Sequence, residues 1–151
     1  MKKVVIFPPK NLEVVAKTIV FLRKLEERHP DAEINIIGTE ENLLPYQVVS
    51  ENYRCFKIPE NLNSKFGVYK FIYNLNDVFN IDTTIDLEGS IETSIMGMCL
   101  RPEKRFGWAE GKKRFLYTER VESFGHKDEK SFLKFLGIEE QENVEHINIY
   151  M

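Results

Sequence analysis

The stretch Lys3-Val4-Val5-Ile6-Phe7-Pro8-Pro9-Lys10-Asn11-Leu12-Glu13 decides the fold. Val4 to Phe7 is a short, largely β-branched apolar run, the pattern of a buried strand. Pro8 and Pro9 end it, since neither has an N–H for a ladder and each restricts the residue before it. Asn11 is placed as an N-cap. Leu12, Val15, Ala16, Ile19 and Leu22 then recur at helical spacing, and Val14, Phe21 and Leu25 widen the stripe. Charged last turns (Arg23, Lys24, Glu26, Glu27, Arg28) lead to Pro30, which stops the helix. A strand, a tight turn and a helix open an α/β sheet, and ligands of such sheets sit at the carboxyl ends of the strands. The turn from Pro8 to Glu13 is therefore the first candidate site.

The alternation continues along the chain. Glu33 to Ile37 predicts a second strand closed by Gly38, and Glu40 to Leu44 a short helix before Pro45. Tyr53 to Ile58 predicts a third strand, and Phe66 to Phe79 a helix with apolar positions 68, 71, 72, 75, 78 and 79. Asp82 to Leu87 is a fourth strand, and Ile91 to Leu100 a closely packing helix. Lys104 to Trp108 is a fifth strand followed by a basic loop. Lys127 to Leu136 is a helix stopped by Gly137, and Ile147 to Tyr150 a final strand. The pattern predicts one three-layer α/β/α, Rossmann-like domain over residues 1–151, with a mostly parallel sheet covered on both faces.

Composition narrows the class. Hydrophobic residues at 42% and charged residues at 30% fit a globular domain with a proper core. No apolar run approaches the roughly 20 residues that span a bilayer. Met1-Lys2-Lys3 leads into an apolar run too short for a signal peptide, so a cytoplasmic protein is expected. Cys55 and Cys99 read as two buried thiols, and no Cys/His spacing suggests zinc. Neither a metal nor a cofactor is expected. A net charge of −3 argues against nucleic-acid binding. The charge is uneven: seven basic residues face three acidic ones between Arg101 and Arg120, whereas 137–151 holds four Glu and no Lys or Arg.

Lys10 and Asn11 lie beside a helix start, where backbone N–H groups favour anions. They read either as a phosphate or sugar contact or as solvated turn residues. No glycine lies between Pro8 and Glu13, which excludes a P-loop or a dinucleotide fingerprint.

Four segments together resemble the N-terminal domain of the lipopolysaccharide heptosyltransferases, glycosyltransferase family 9. Leu25-Glu-Glu-Arg-His-Pro-Asp-Ala-Glu-Ile-Asn-Ile-Ile37 is similar to the family's passage from first helix to second strand. Ile81-Asp-Thr-Thr-Ile-Asp-Leu-Glu-Gly-Ser90 is similar to its Ile-Asp-Leu-Gln-Gly strand end. Arg101 to Trp108 and His126 to Ile138 are similar to a later strand and to a helix ending Leu-Gly-Ile.

The resemblance implies the first half of a GT-B fold, in which this half binds the acceptor and a second half binds the ADP-sugar donor. It also implies that the donor half is missing here, so that the chain acts with a separate donor-binding chain or as a non-catalytic binding module. Glu13 stands where members carry the Asp taken as general base, and Leu12 where they carry Gly. Glu13 is thus either a base or a first-turn acid complementing the helix dipole. Asp86, Glu88 and Ser90 are the implied acceptor contacts, with helix capping the rival role for Ser90. Arg105, Lys112, Lys113 and Arg114 either meet anionic phosphosugars and the inner-membrane surface or merely solubilise a loop. The interleaved Phe106, Trp108, Phe115 and Tyr117 are either core or a shallow membrane contact. The expected partners are an anionic sugar or lipid-linked acceptor, a donor-domain chain, the inner-membrane periphery and a second copy of the chain. The alternative is a small self-contained hydrolase of sugar phosphates or nucleotides using Glu13 and Asp86.

Overall fold

The computed structural model describes residues 1–62, 64–109, 116–122 and 129–136. The strands are β1 (Lys3–Phe7), β2 (Glu33–Gly38), β3 (Arg54–Lys57), β4 (Thr83–Asp86), β5 (Lys104–Trp108) and β6 (Glu119–Val121). The helices are α1 (Val15–Arg28), α2 (Glu40–Val49), α3 (Lys65–Phe79), α4 (Ile91–Cys99) and α5 (Glu129–Leu133). Short 3₁₀ turns precede α1 (Leu12–Val14) and follow α5 (Lys134–Leu136).

The six strands form one sheet in the order β3-β2-β1-β4-β5-β6, and every neighbouring pair is parallel. From β1 the chain moves outward to β2 and β3, then returns to place β4 on the other side of β1. The order thus reverses between β1 and β4, and in sheets of this kind the ligand crevice lies at such a reversal.

Alternation along the strands sorts the core into two faces. Val4, Ile6, Ile34, Ile36, Ile85 and Leu87 point to one face, beneath Phe21, Leu22 and Leu25 of α1 and Leu43 and Tyr46 of α2. Phe132 and Phe135 close that face against Phe21 and Trp108, with ring centroids 4.8 to 6.5 Å apart. Val5, Phe7 and Ile37 point to the other face, beneath Ile72 of α3 and Met96 of α4. The layers are therefore α/β/α, as the sequence predicts. Cys55 packs with the first face and Cys99 with the second, so the sheet separates the two free thiols.

Two expectations need correction. Pro45 does not end the second helix, for α2 runs through it to Val49. Pro45 leaves the Glu41 carbonyl without its helical N–H, but Leu43 and Tyr46, both fully buried, anchor the helix on either side. Thr39 caps the start by accepting from the Asn42 N–H. Pro45→Ala should therefore raise stability by about 1–3 kcal/mol, read as a higher denaturant midpoint. The second correction is β6, which the sequence reading took as part of a loop. It pairs with β5 at the edge of the sheet. The expected strand at 147–150 and the start of the expected helix at 127–128 lie outside the described residues.

Candidate functional site

The crevice is built from the loops after β1 and β4. Phe7 is in register with Asp86, so both loops leave the sheet at the same height. The Phe7 carbonyl accepts from Leu87 N–H and Glu88 N–H, at 3.0 and 3.2 Å, which extends the ladder into the second loop. Pro8 and Pro9 are buried, and Lys10 to Glu13 emerge into solvent. Asn11 caps the 3₁₀ turn as expected, accepting from Glu13 N–H at 3.0 Å. The Lys10 N–H donates to the Glu88 carboxylate at 3.3 and 3.4 Å, joining the two loops across the crevice.

Beside this junction lies an open depression of about 330 Å³ lined by Lys10, Leu12, Thr39, Glu41 and Asn42. It is bounded by the starts of the α1 turn and α2. On the other side, Lys65 of α3 pairs with Glu92 of α4 at 2.9 Å, and that hydrogen bond draws the Glu92 carboxyl below its ordinary range.

Asp86 is placed differently. It is 2% exposed and turned inward beneath the start of α4. Its Oδ1 accepts from Gly89 N–H at 2.9 Å, and its Oδ2 lies 2.8 Å from Thr93 Oγ1 and 2.7 Å from the Tyr117 hydroxyl. Burial pushes its carboxyl up, against the downward pull of the hydrogen bonds with Gly89, Tyr117 and Thr93. Burial pushes the Tyr117 phenol up as well. Gly89 adopts φ 73°, which lets the turn fold back over the carboxyl. Ser90 caps α4 in a reciprocal capping box with Thr93. The structure does not bring Glu13, exposed, and Asp86, buried, to one surface.

The basic residues also divide. Arg105 stands near the amino end of β5, away from the crevice, and its Nε donates to the Leu116 carbonyl at 2.8 Å. Arg101 leaves α4 at φ 52° and lies over the Tyr73 ring, paired with Asp77 at 3.1 Å. Lys112, Lys113, Arg114 and Phe115 lie outside the described residues. Trp108 and Tyr117 are core, and Phe106 is half-buried against it. His29 is half-buried, its imidazole held low by burial and by the charges of the N-terminus and Arg28. His126 and His146 are outside the described residues.

Asp82, at the amino end of β4, holds the chain start. Its carboxylate accepts from the Lys2 and Lys3 N–H groups at 2.9 and 2.7 Å and from Thr83 Oγ1. Burial alone would raise its carboxyl, but these hydrogen bonds and the N-terminal charge outweigh it and hold it low.

Sequence reasoning missed Thr93 and Tyr117 as partners of Asp86, and Ser94 as the partner of Tyr117. Two signals for them existed. Ser90-x-x-Thr93 is a capping-box spacing, and a glycine inside a strand, Gly107, marks a close approach. The Tyr117 ring occupies the space where a Cβ on Gly107 would sit.

No family model and no curated protein matches the sequence. Solved structures do match in fold. A glycosyl transferase of family 9 from Veillonella parvula matches with a TM-score of 0.69 at 20% identity, over 90% of this chain and 40% of that one. The fold is shared with part of a family 9 glycosyltransferase. The E. coli heptosyltransferase WaaC, solved with ADP-2-deoxy-2-fluoro heptose, gives 0.64 at 14% identity over 89% of this chain and 48% of that one. E. coli ADP-heptose lipopolysaccharide heptosyltransferase II gives 0.58 at 19% identity, over 80% and 34%. The chain spans less than half the length of each. Among the described residues no helix is long and apolar enough to cross a membrane.

Proposed function

We propose that this chain is an acceptor-binding domain of the heptosyltransferase kind, which completes a transferase when a donor-binding domain faces it. The observation carrying this reading is the crevice at the β1/β4 reversal, where Lys10 and Glu88 meet beside the loop bearing Glu13. It occurs in a fold shared with heptosyltransferases. Lys10, Asn11 and Glu88 would contact an anionic core sugar or lipid-linked acceptor. Ser90, already used as a cap, would contribute mainly by fixing the turn. Glu13 is exposed, as a base taking a proton from an acceptor hydroxyl must be. The basic segment at 112–114 would hold the domain at the cytoplasmic face of an anionic membrane, at about 1 kcal/mol per charge. A second copy or the donor domain would cover the crevice face.

The test uses a phosphorylated heptose-core oligosaccharide, ADP-heptose and a separately expressed donor-binding domain. The chain alone should bind the oligosaccharide, and transfer should occur only with both chains present. Glu13→Gln should then slow transfer by about 10²–10⁴-fold while leaving oligosaccharide affinity intact. Absence of oligosaccharide binding, or turnover by the chain alone, would overturn the reading.

A further inference from the structure

We infer that Asp86 is a neutral carboxylic acid in the folded protein at neutral pH, and that its proton completes a chain of hydroxyls locking the β4–α4 turn. The inference is independent of the transferase reading.

It rests on counting hydrogens. Three oxygen–oxygen contacts run in series: Asp86 Oδ2 to the Tyr117 hydroxyl, Tyr117 to Ser94 Oγ, and Ser94 Oγ to the Ser90 carbonyl, each 2.7 Å long. A contact this short between oxygens needs one hydrogen. Tyr117 and Ser94 bring one each, and the carbonyl brings none. An ionised Asp86 also brings none, which leaves one contact with two oxygens facing lone pair to lone pair. A protonated Asp86 supplies the third hydrogen. The direction is then Asp86 to Tyr117, Tyr117 to Ser94, and Ser94 to the Ser90 carbonyl, with every donor used once. Thr93 stands outside the count, because its own hydrogen reaches Asp86 Oδ2 at 2.8 Å, Ser90 Oγ at 3.0 Å or the Ser90 carbonyl at 3.1 Å.

The surroundings agree. The groups facing Asp86 are Gly89 N–H in the β4–α4 loop, Thr93 of α4, Tyr117 ahead of β6, and Phe7 of β1 beside it in register. All are neutral. The charged side chain acting on it, Glu88, is itself acidic and disfavours ionisation. Among the described residues no cation contacts the carboxyl. The start of α4 favours negative charge, but a single helix end offsets little of the cost of burying an unpaired carboxylate. The lock has a function in the fold: it fixes the turn that presents Glu88 to Lys10.

The sign for stability follows from a raised folded-state value. The contribution is complete below the ordinary carboxyl range and is lost as pH rises through the value in the folded protein.

The experiment follows the side-chain carboxyl carbon of Asp86 by NMR in ¹³C-aspartate-labelled full chain as pH is raised from acid. At neutral pH the Asp86 signal should still hold its acid-form position. An ionised-form position at neutral pH would overturn the inference. Asp86→Asn gives a second readout, because an amide supplies the same hydrogen permanently. Its folding constant at neutral pH should stay within about tenfold of wild type, against a loss of up to about a hundredfold for Asp86→Ala. Equal losses for both variants would also overturn it.

Discussion

Replacing Gly107 by alanine is expected to destabilise the domain by about 2–6 kcal/mol, among the larger effects for adding one methyl group. Two costs combine. The new Cβ overlaps the Tyr117 ring, so the ring must leave its place on β5. Overpacking of this kind costs about 1–3 kcal/mol. As the ring moves, its hydroxyl leaves Asp86 and Ser94, both buried, and stranded polar groups cost about 1–3 kcal/mol more. Denaturant unfolding of the variant measures the sum. Tyr117→Ala removes the obstructing ring, so Gly107→Ala should cost much less in that background. Additive losses in the double variant would show that the ring is not the cause.

Phe132→Ala should cost a comparable 3–5 kcal/mol, for a different reason. Phe132 is fully buried, and its ring meets Phe21 at 6.5 Å and Trp108 at 5.6 Å. It thus joins α5 to both α1 and β5. Truncation leaves a cavity in the face that α5 closes, and α5 is too short to hold its shape without that anchor. Loss of amide exchange protection in α5 before the rest of the chain would accompany the fall in midpoint. Uniform loss of protection across the sheet would instead place α5 in the cooperative core.

The readable parts of the fold were those whose signal is local. Val4 to Phe7 is an apolar run ended by Pro and Ile34 to Ile37 a β-branched run broken by Asn35 and ended by Gly, and both are inner strands. Ser90 and Asn11 both cap as their residue types suggest. What the sequence hid depends on distant partners. Glu119-Arg120-Val121 has two charges in three residues, so nothing in its composition marks a strand, yet the edge of a sheet tolerates an outward-facing charged pair. Pro45 looked like a stop because the compensation comes from tertiary burial of Leu43 and Tyr46. The sequence places Asp86 at a strand's carboxyl end, where an acceptor sugar could be hydrogen-bonded. Its burial depends on Tyr117, 31 residues later, and no short-range pattern encodes that meeting. Lys10, Asn11 and Glu88 stand in the loops after β1 and β4, where the strand order reverses.

The central place of β1 also governs the order in which the domain can form during synthesis. Val4 to Ile6 find their first neighbours in β2, some 30 residues on, but their second neighbours only when Thr83 to Ile85 have been made. Until then one edge of the most apolar strand has no ladder partner. The Asp82 carboxylate that binds the Lys2 and Lys3 N–H groups arrives with that same strand. A nascent chain carrying β1 to β3 thus has a half-sheet with a bare, β-branched side, and closure of the sheet is a late event spanning more than half the sequence. Such long-range parallel pairing is slow and leaves the edge open to association with other chains. β1 therefore gains its second neighbour only after β2 has gained both of its own.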